Sequence, residues 1–238
     1  MIVTSNFEEQ YVALRREEQR LYTDEQVKRL PDIEALHPHF GEWQLRKSSC
    51  DKLIEYLSNK NRTLDILEVG CGNGWLCAQL STIQRVNITG IDINNIELEQ
   101  AKKVFANLTN VDFVCGEISG QKMRLRKFDI IVFAASIQYF RSLNEILAYA
   151  LELLKLAGEI HILDSHFYES SELEAAIRRS NDYFQSFGFP GMTEHYFHHC
   201  VDELKNYDHK VLYNPESINH LFMKKKNPFP WISIKSKS

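Results

Sequence analysis

The stretch Leu64-Asp-Ile-Leu-Glu-Val-Gly-Cys-Gly-Asn-Gly-Trp-Leu76 decides how the rest of the chain is read. Ile66, Leu67 and Val69 form the short apolar run of a buried strand. Gly70, Gly72 and Gly74 follow directly, a dense share of the chain's ten glycines. Glycine loses more conformational freedom on folding than any other residue. Such a cluster therefore implies backbone that needs positive φ or a close approach to a ligand. From Trp75 the pattern turns helical. A strand, a glycine turn and a helix in succession aim the N–H groups of the helix N-terminus at whatever lies above the strand, which reads as a nucleotide-type site.

Outward from this stretch, strand and helix alternate. Strand-like runs occupy 64–69, 87–93, 111–115, 128–134 and 159–164, with helical patterns at 74–83, 95–107 and 142–156 between them. The last helix opens on the capping box Ser142-x-x-Glu145 and is expected to stop at Gly158. Strict alternation predicts a parallel sheet covered on both faces. No proline falls between Pro38 and Pro190, which suits one uninterrupted α/β unit.

The flanks are less regular. Residues 5–22 predict an amphipathic helix, with Ser5-x-x-Glu8 as its cap and Phe7, Tyr11, Leu14, Leu21 and Tyr22 near helical spacing. Thr23-x-x-Gln26 offers a second start that Pro31 ends, and a helix over 48–59 leads into the first strand. Downstream, Ser171-x-x-Glu174 predicts a helix running to Gly188. The stretch 193–205 also predicts a helix, since Tyr196, Phe197, Cys200, Val201 and Leu204 would share a face. Strands are expected at His209–Tyr213 and Trp231–Ile234, with a short helix over Glu216–Met223 between them.

A chain of 238 residues, 44% hydrophobic and 25% charged, supports one domain with appendages and a full core. A net charge of −4 and a pI near 6.1 give no electrostatic case for nucleic acid as a general partner. The Lys224-Lys225-Lys226 run reads as a local, solvated helix end. Cys50, Cys71, Cys77, Cys115 and Cys200 are odd in number and form no CxxC pair, so they read as reduced thiols. The N-terminus turns polar at once, unlike a signal peptide, and no apolar run approaches the roughly 18 residues of a membrane span. A cytoplasmic protein with no membrane partner is expected.

Spacing selects among nucleotide ligands. The dinucleotide fingerprint G-x-G-x-x-G would need glycine at position 75, which is Trp75, and this disfavours a nicotinamide-dependent oxidoreductase. The pattern Glu68-x-Gly70-x-Gly72-x-Gly74 instead resembles the first motif of the class I S-adenosylmethionine-dependent methyltransferases. Asp92 at the end of the second strand stands where that family places an acid on the ribose hydroxyls. Glu117, after the third strand, stands where the family has an acid or polar group near the adenine amine. Leu154-Lys-Leu-Ala-Gly158 resembles the family's Leu-Lys-Pro-Gly-Gly turn, with alanine for proline and one glycine lost.

The resemblance covers about residues 48–165. It implies a Rossmann-like seven-stranded, mostly parallel sheet with helices on both faces and the last strand, about 231–235, antiparallel. It also implies an N-terminal helical lid or extension over 1–45. The methyltransferase domain would follow over 46–238, with a helical insert at 169–208 contributing to an acceptor pocket. S-adenosylmethionine would be the cofactor, with S-adenosylhomocysteine as product. Its expected binding residues are Glu68, Gly70, Cys71, Gly72, Gly74, Asp92, Ile93, Glu117, Ile118 and Ala134.

The methyl acceptor is less well marked, because displacement at a sulfonium asks mainly for proximity and orientation. After strand four the chain reads Ala134-Ala-Ser-Ile-Gln-Tyr-Phe140. It lacks the Asn/Asp-Pro-Pro-Tyr/Phe tetrapeptide of the superfamily's amino-methylating nucleic-acid enzymes, which Asn227-Pro-Phe229 resembles only locally. A small-molecule acceptor is the expectation. An RNA-modifying enzyme and a non-catalytic cofactor-binding protein are the alternatives. Tyr139 reads either as a substrate-facing group or as helix-packing core. His166 reads as an acid or base, with an unperturbed pKa near ~6.5, or as an exposed loop histidine. His37, His39 and Trp43 lie in the connection expected to form the lid. On a helical 193–205, His195, His198, His199 and Asp202 would share a face. No family motif supports a metal there, and a substrate-lining role, for His195 among them, is preferred.

Overall fold

The computed structural model describes residues 3–217 and 227–236. Five strands, β1 (Leu64–Val69), β2 (Val86–Asp92), β3 (Val111–Cys115), β4 (Phe128–Ala134) and β5 (Leu154–Leu163), pair in parallel. A separate two-stranded ribbon joins β6 (Phe167–Tyr168) to β7 (His199–Cys200). Strands β8 (His209–Tyr213) and β9 (Trp231–Lys235) complete a seven-stranded sheet of order β3-β2-β1-β4-β5-β9-β8. Strand β9 runs antiparallel to both of its neighbours, as expected for 231–235. Strand order reverses between β1 and β4. In open α/β sheets ligands bind in the crevice beyond the carboxyl ends of the strands at such a switch point.

Among the described residues seven α-helices accompany the sheet: α1 (Val3–Glu17), α2 (Asp24–Arg29), α3 (Phe40–Ser58), α4 (Trp75–Leu80), α5 (Asn95–Val104), α6 (Leu143–Leu153) and α7 (Leu173–Ser186). Strand side chains alternate between faces, so one sequence run feeds two cores. Ile66, Ile88, Ile130 and Val132 face Leu53 and Leu57 of α3 and Leu76 and Leu80 of α4. Leu67, Val69, Ile131 and Phe133 face Leu143, Leu147 and Ala150 of α6. Each such fully buried side chain contributes roughly 1.5–3 kcal/mol. A third, smaller cluster centres on Leu14 of α1, Phe184 of α7 and Met192. Among the described residues no helix is long and apolar enough to cross a membrane.

The core strands fall at their expected places, and the ends of several elements differ. Helix α1 stops at Glu17 because Gln19 takes positive φ, and Thr23 then caps α2 with the expected reciprocal bonds to Gln26. Helix α3 begins at Phe40 and absorbs part of the aromatic connection. Helix α6 ends at Leu153, short of Gly158, because Leu154 already pairs with Phe128 of β4. The residues up to Gly158 loop out as a bulge with Ala157 at positive φ, pinned by Lys155 Nζ on Asp129 at 2.8 Å. Helix α7 follows Glu172 without a side-chain cap, so Ser171 does not cap it.

The largest correction is at 193–205, which is not an α-helix. A 3₁₀ turn (Pro190–His195), β7 and a second 3₁₀ turn (Val201–Asn206) succeed one another. Backbone groups here serve neighbours: Phe197 N–H donates to Gln138 O at 2.7 Å, and β7 pairs with β6. The apolar spacing coincides with helical periodicity while tertiary partners take the hydrogen bonds. The predicted helix over Glu216–Met223, save its first two residues, and the Lys224–Lys226 run lie outside the described residues.

Candidate active site

The glycine loop leaves β1 with Gly70 at φ 75°, Gly72 at φ 50° and Gly74 at φ 75°, conformations that side chains of L-residues rarely adopt. A Cβ on Gly70 would stand 2.6 Å from Ser136 Cβ, in the turn after β4. Ser136 Oγ donates to Val69 O at 2.6 Å and ties that turn to the end of β1. Gly72 N–H donates to Asp92 Oδ2 at 2.7 Å, and Asn94 N–H donates to Oδ1 at 2.8 Å. The Asp92 carboxylate is therefore held from below, with accepting capacity left on each oxygen.

Two neighbouring cavities lie over this loop. The first, about 100 Å³, is lined by charged groups, among them Arg15, Arg20, Glu42, Arg46 and Glu68, together with Cys71 and Ala134. The second, about 440 Å³, is mostly apolar and takes in Asp92, Ile93, Gly116, Glu117, Ile118, Tyr139 and His195. Tyr11, Gly70, Gly72, Glu97 and Ala135 face both.

Arg15 and Arg20 pair with Glu18 at 2.7 and 3.3 Å, and Arg20 and Arg46 pair with Glu42 at 2.7 and 3.0 Å. Three guanidinium groups thus answer two carboxylates, leaving net positive charge on this wall. Burial works to raise Glu42, but hydrogen bonds and charge from Arg20 and Arg46 override it and hold the carboxyl at about 2. The acids of the loop behave oppositely. Burial, with the charge of Asp92 nearby, pushes Glu68 up to about 8 and Glu97 up to about 7. Burial also raises Asp92, against the backbone N–H groups that favour its charged form.

The expected residues separate clearly. Glu68, Gly70, Cys71, Gly72, Asp92, Ile93, Glu117, Ile118 and Ala134 line one cavity or the other. Gly74 lines neither: its Cβ would meet the Phe113 ring at 2.6 Å and Ala101 at 2.9 Å, so glycine here lets α4 and α5 close on the sheet. Tyr139 and His195 line the larger cavity. His166 lines neither, and packs on Phe229 with ring centroids 4.6 Å apart. With 193–205 not helical, its histidines disperse. His195 packs on Phe7, His198 bonds Ser180 Oγ, and His199 is buried against Ile137 O.

Trp43 lines the charged cavity and packs on Trp75. His39 bonds the Glu18 carbonyl, and His37 packs on Tyr22, outside both cavities. Arg15, Arg46, Glu97 and Tyr11 also line the cavities, and sequence reasoning missed them. One signal was available for Arg15: it interrupts the apolar stripe of α1 one turn after Tyr11.

A family model described as a methyltransferase domain matches residues 60–225, the span holding the loop, both acids and all of β1 to β8. The chain belongs to the class I S-adenosylmethionine-dependent methyltransferases. S-adenosylmethionine is the methyl donor of this family. A malonyl-[acyl-carrier protein] O-methyltransferase of Priestia megaterium is 33% identical over 119 residues, 49% of this chain and 43% of that protein. The chain spans about half the length of the curated relatives it matches. Among solved structures, a plantazolicin methyltransferase in complex with S-adenosylhomocysteine superposes with a TM-score of 0.58 at 15% identity, over 100% of both chains. Magnesium protoporphyrin IX methyltransferase from Synechocystis, also with S-adenosylhomocysteine, gives 0.60 at 12% identity over 93% of this chain and 94% of that one. At these identities the structural likeness is one of methyltransferase fold.

Proposed function

We propose that this methyltransferase transfers the methyl group of S-adenosylmethionine to a small-molecule acceptor, with donor and acceptor meeting where the two cavities adjoin. The observation that supports this most is the division of the linings, with the arginines gathered in the smaller cavity, a mostly apolar surface with Asp92 in the larger, and Gly70 and Gly72 facing both. The residues fit the donor. The net positive wall of Arg15, Arg20 and Arg46 suits its carboxylate, and buried Glu68 suits its ammonium. The free accepting capacity of Asp92 suits a ribose diol, and Ile93, Ile118 and Glu117 suit an adenine ring with its amine. Gly116 adds room, since a Cβ there would meet nothing within 4 Å. When bound, S-adenosylmethionine supplies an electrophilic methyl group on a cationic sulfur.

The chain's own part is to orient and enclose. Arg15 Nη2 donates to the Tyr139 hydroxyl at 2.8 Å, which leaves the Tyr139 O–H to donate toward the cavity. Burial raises Tyr139 despite the charge of Arg15, so the phenol stays protonated and positions an acceptor oxygen or nitrogen rather than serving as a base. His195, beside Phe7 on the same wall, is the candidate base when the acceptor arrives protonated. Residues 1–45 form the lid: Phe7 and Tyr11 close the larger cavity, and Glu8 Oε1 accepts the Asn95 and Ile96 N–H groups at 2.7 and 3.3 Å, latching α1 to the start of α5. Residues 46–238 form the transferase domain, with 169–208 as an insert that brings His195 to the acceptor. Five free cysteines suit a reducing cytoplasm.

Calorimetry with S-adenosylmethionine and S-adenosylhomocysteine, followed by turnover across an acceptor panel, tests the proposal. The name of the curated relative puts a malonyl-[acyl-carrier protein] first on that panel. Binding of both ligands with turnover of a small molecule or acyl thioester is expected. Failure to bind either ligand overturns the proposal, and methylation of RNA alone overturns the choice of acceptor.

A further inference from the structure

We infer that Glu97 is a specificity-determining carboxylate that separates the sulfonium donor from the thioether product by charge. This rests on the proposed function above. Glu97, in the first turn of α5, is one of the few side chains facing both cavities. Sulfur is the atom that joins the amino-acid half of the donor to its adenosyl half. A donor lying across the two cavities therefore brings its sulfur to the junction where Glu97 stands.

The surroundings leave this carboxylate ready for a cation. Asn94 Nδ2 donates to Oε2 at 3.0 Å, and among the described residues no donor reaches Oε1. The carboxylate would stand 3.4 Å from a Cβ on Gly72, so the glycine also keeps the path from loop to acid open. Arg15 and Tyr11 of α1, Arg46 of α3, Asp92 of β2 and Cys71 of the loop are the charged and titratable groups that influence it. Arg15 and Arg46 are already committed to Glu18 and Glu42. Among the described residues neither Asp92 nor Glu97 forms an ion pair.

A bound sulfonium supplies the missing positive charge. In a largely buried site that attraction is far stronger than in water, and it vanishes once the methyl group has left and the sulfur is neutral. The ammonium and carboxylate are common to both ligands and cancel from the comparison. Glu97 therefore favours the donor over the product, and with that product release.

The test is calorimetry on the full chain with both ligands, for the wild type and Glu97→Gln. Affinity for S-adenosylmethionine should fall about tenfold, while that for S-adenosylhomocysteine changes less than about threefold. Glu97 sits partly protonated in the free protein, because burial pushes it up to about 7. Titrations in buffers of different ionisation enthalpy should show donor binding releasing more protons than product binding, and Glu97→Gln should abolish the excess. Should the amide variant fail to fold, Glu97→Asp, which keeps the charge, and the wild type between pH 6 and 8 give the same answer: the preference for the donor should rise with pH. Equal losses for both ligands, no loss for either, or a preference flat with pH overturns the inference. Failure of the wild type to bind either ligand overturns the methyltransferase reading instead.

Discussion

The glycine loop and the wall facing it are built by different means. The loop is local: Gly70, Gly72, Asp92 and Ser136 meet because three neighbouring strands, β1, β2 and β4, end side by side, and its acids are pushed up by burial. The wall is assembled from afar. Arg15 reaches Tyr139 across 124 positions, Phe7 meets His195, and its acid Glu42 is pulled down by arginines. The loop thus rests on backbone conformations that few residues adopt. The wall, whose arginines are proposed to meet the donor's carboxylate and whose Tyr139 and His195 are proposed to meet the acceptor, rests on side chains from segments that share no local pattern.

The hardest blow to this contrast would come from Asp92→Ala. Each hydrogen bond to a charged group is worth about 1.5–3 kcal/mol, so losing two to the ribose should weaken S-adenosylmethionine by about 100-fold or more in calorimetry. An unchanged affinity would mean that the loop does not hold the donor. Gly74→Ala separates packing from binding. Positive φ and the contact with Phe113 should lower stability by about 2–4 kcal/mol in urea unfolding, while the folded protein keeps its donor affinity. Tyr139→Phe probes the wall alone: kcat should fall about tenfold with donor affinity within about twofold, and a selective loss of donor affinity would move Tyr139 to the loop's side.

The smallest effect is on pH. Glu68 and Glu97 bind protons more tightly folded than unfolded, so their contribution to stability is full below the ordinary carboxylate range. It is lost as pH rises through about 7 and about 8. Glu42 works the other way. Its contribution is present above the ordinary carboxylate range and fades as pH falls toward about 2. The melting temperature of the ligand-free protein should peak in mildly acidic solution and drop by a few degrees toward pH 9. Glu68→Gln should flatten the alkaline limb only.

The strands of the core were legible because a parallel strand buried on both faces needs a mostly apolar run, and Leu64–Val69 and Phe128–Ala134 have one, broken only by Asp65, Glu68 and Asp129. Element ends were less so. Helix α6 gives way at Leu154 to pairing with Phe128, a partner outside any local window. The 193–205 stretch misled for the same reason, since its periodicity is real while its hydrogen bonds go to Gln138 and β6. His166 looked like a site residue from its place after β5, yet its side chain turns to Phe229 in the tail.

By itself the sequence determined the parallel sheet, the glycine turn and the acid at the end of β2. Each is a local requirement, an apolar run, a positive φ or a strand end, that a few adjacent residues either meet or fail. Only the tertiary structure decided that Arg15, Tyr139, Glu97 and His195 line two neighbouring cavities over the loop and that His166 and Gly74 line neither. Those placements depend on where long-range packing brings side chains whose charge and burial have meaning only beside their partners.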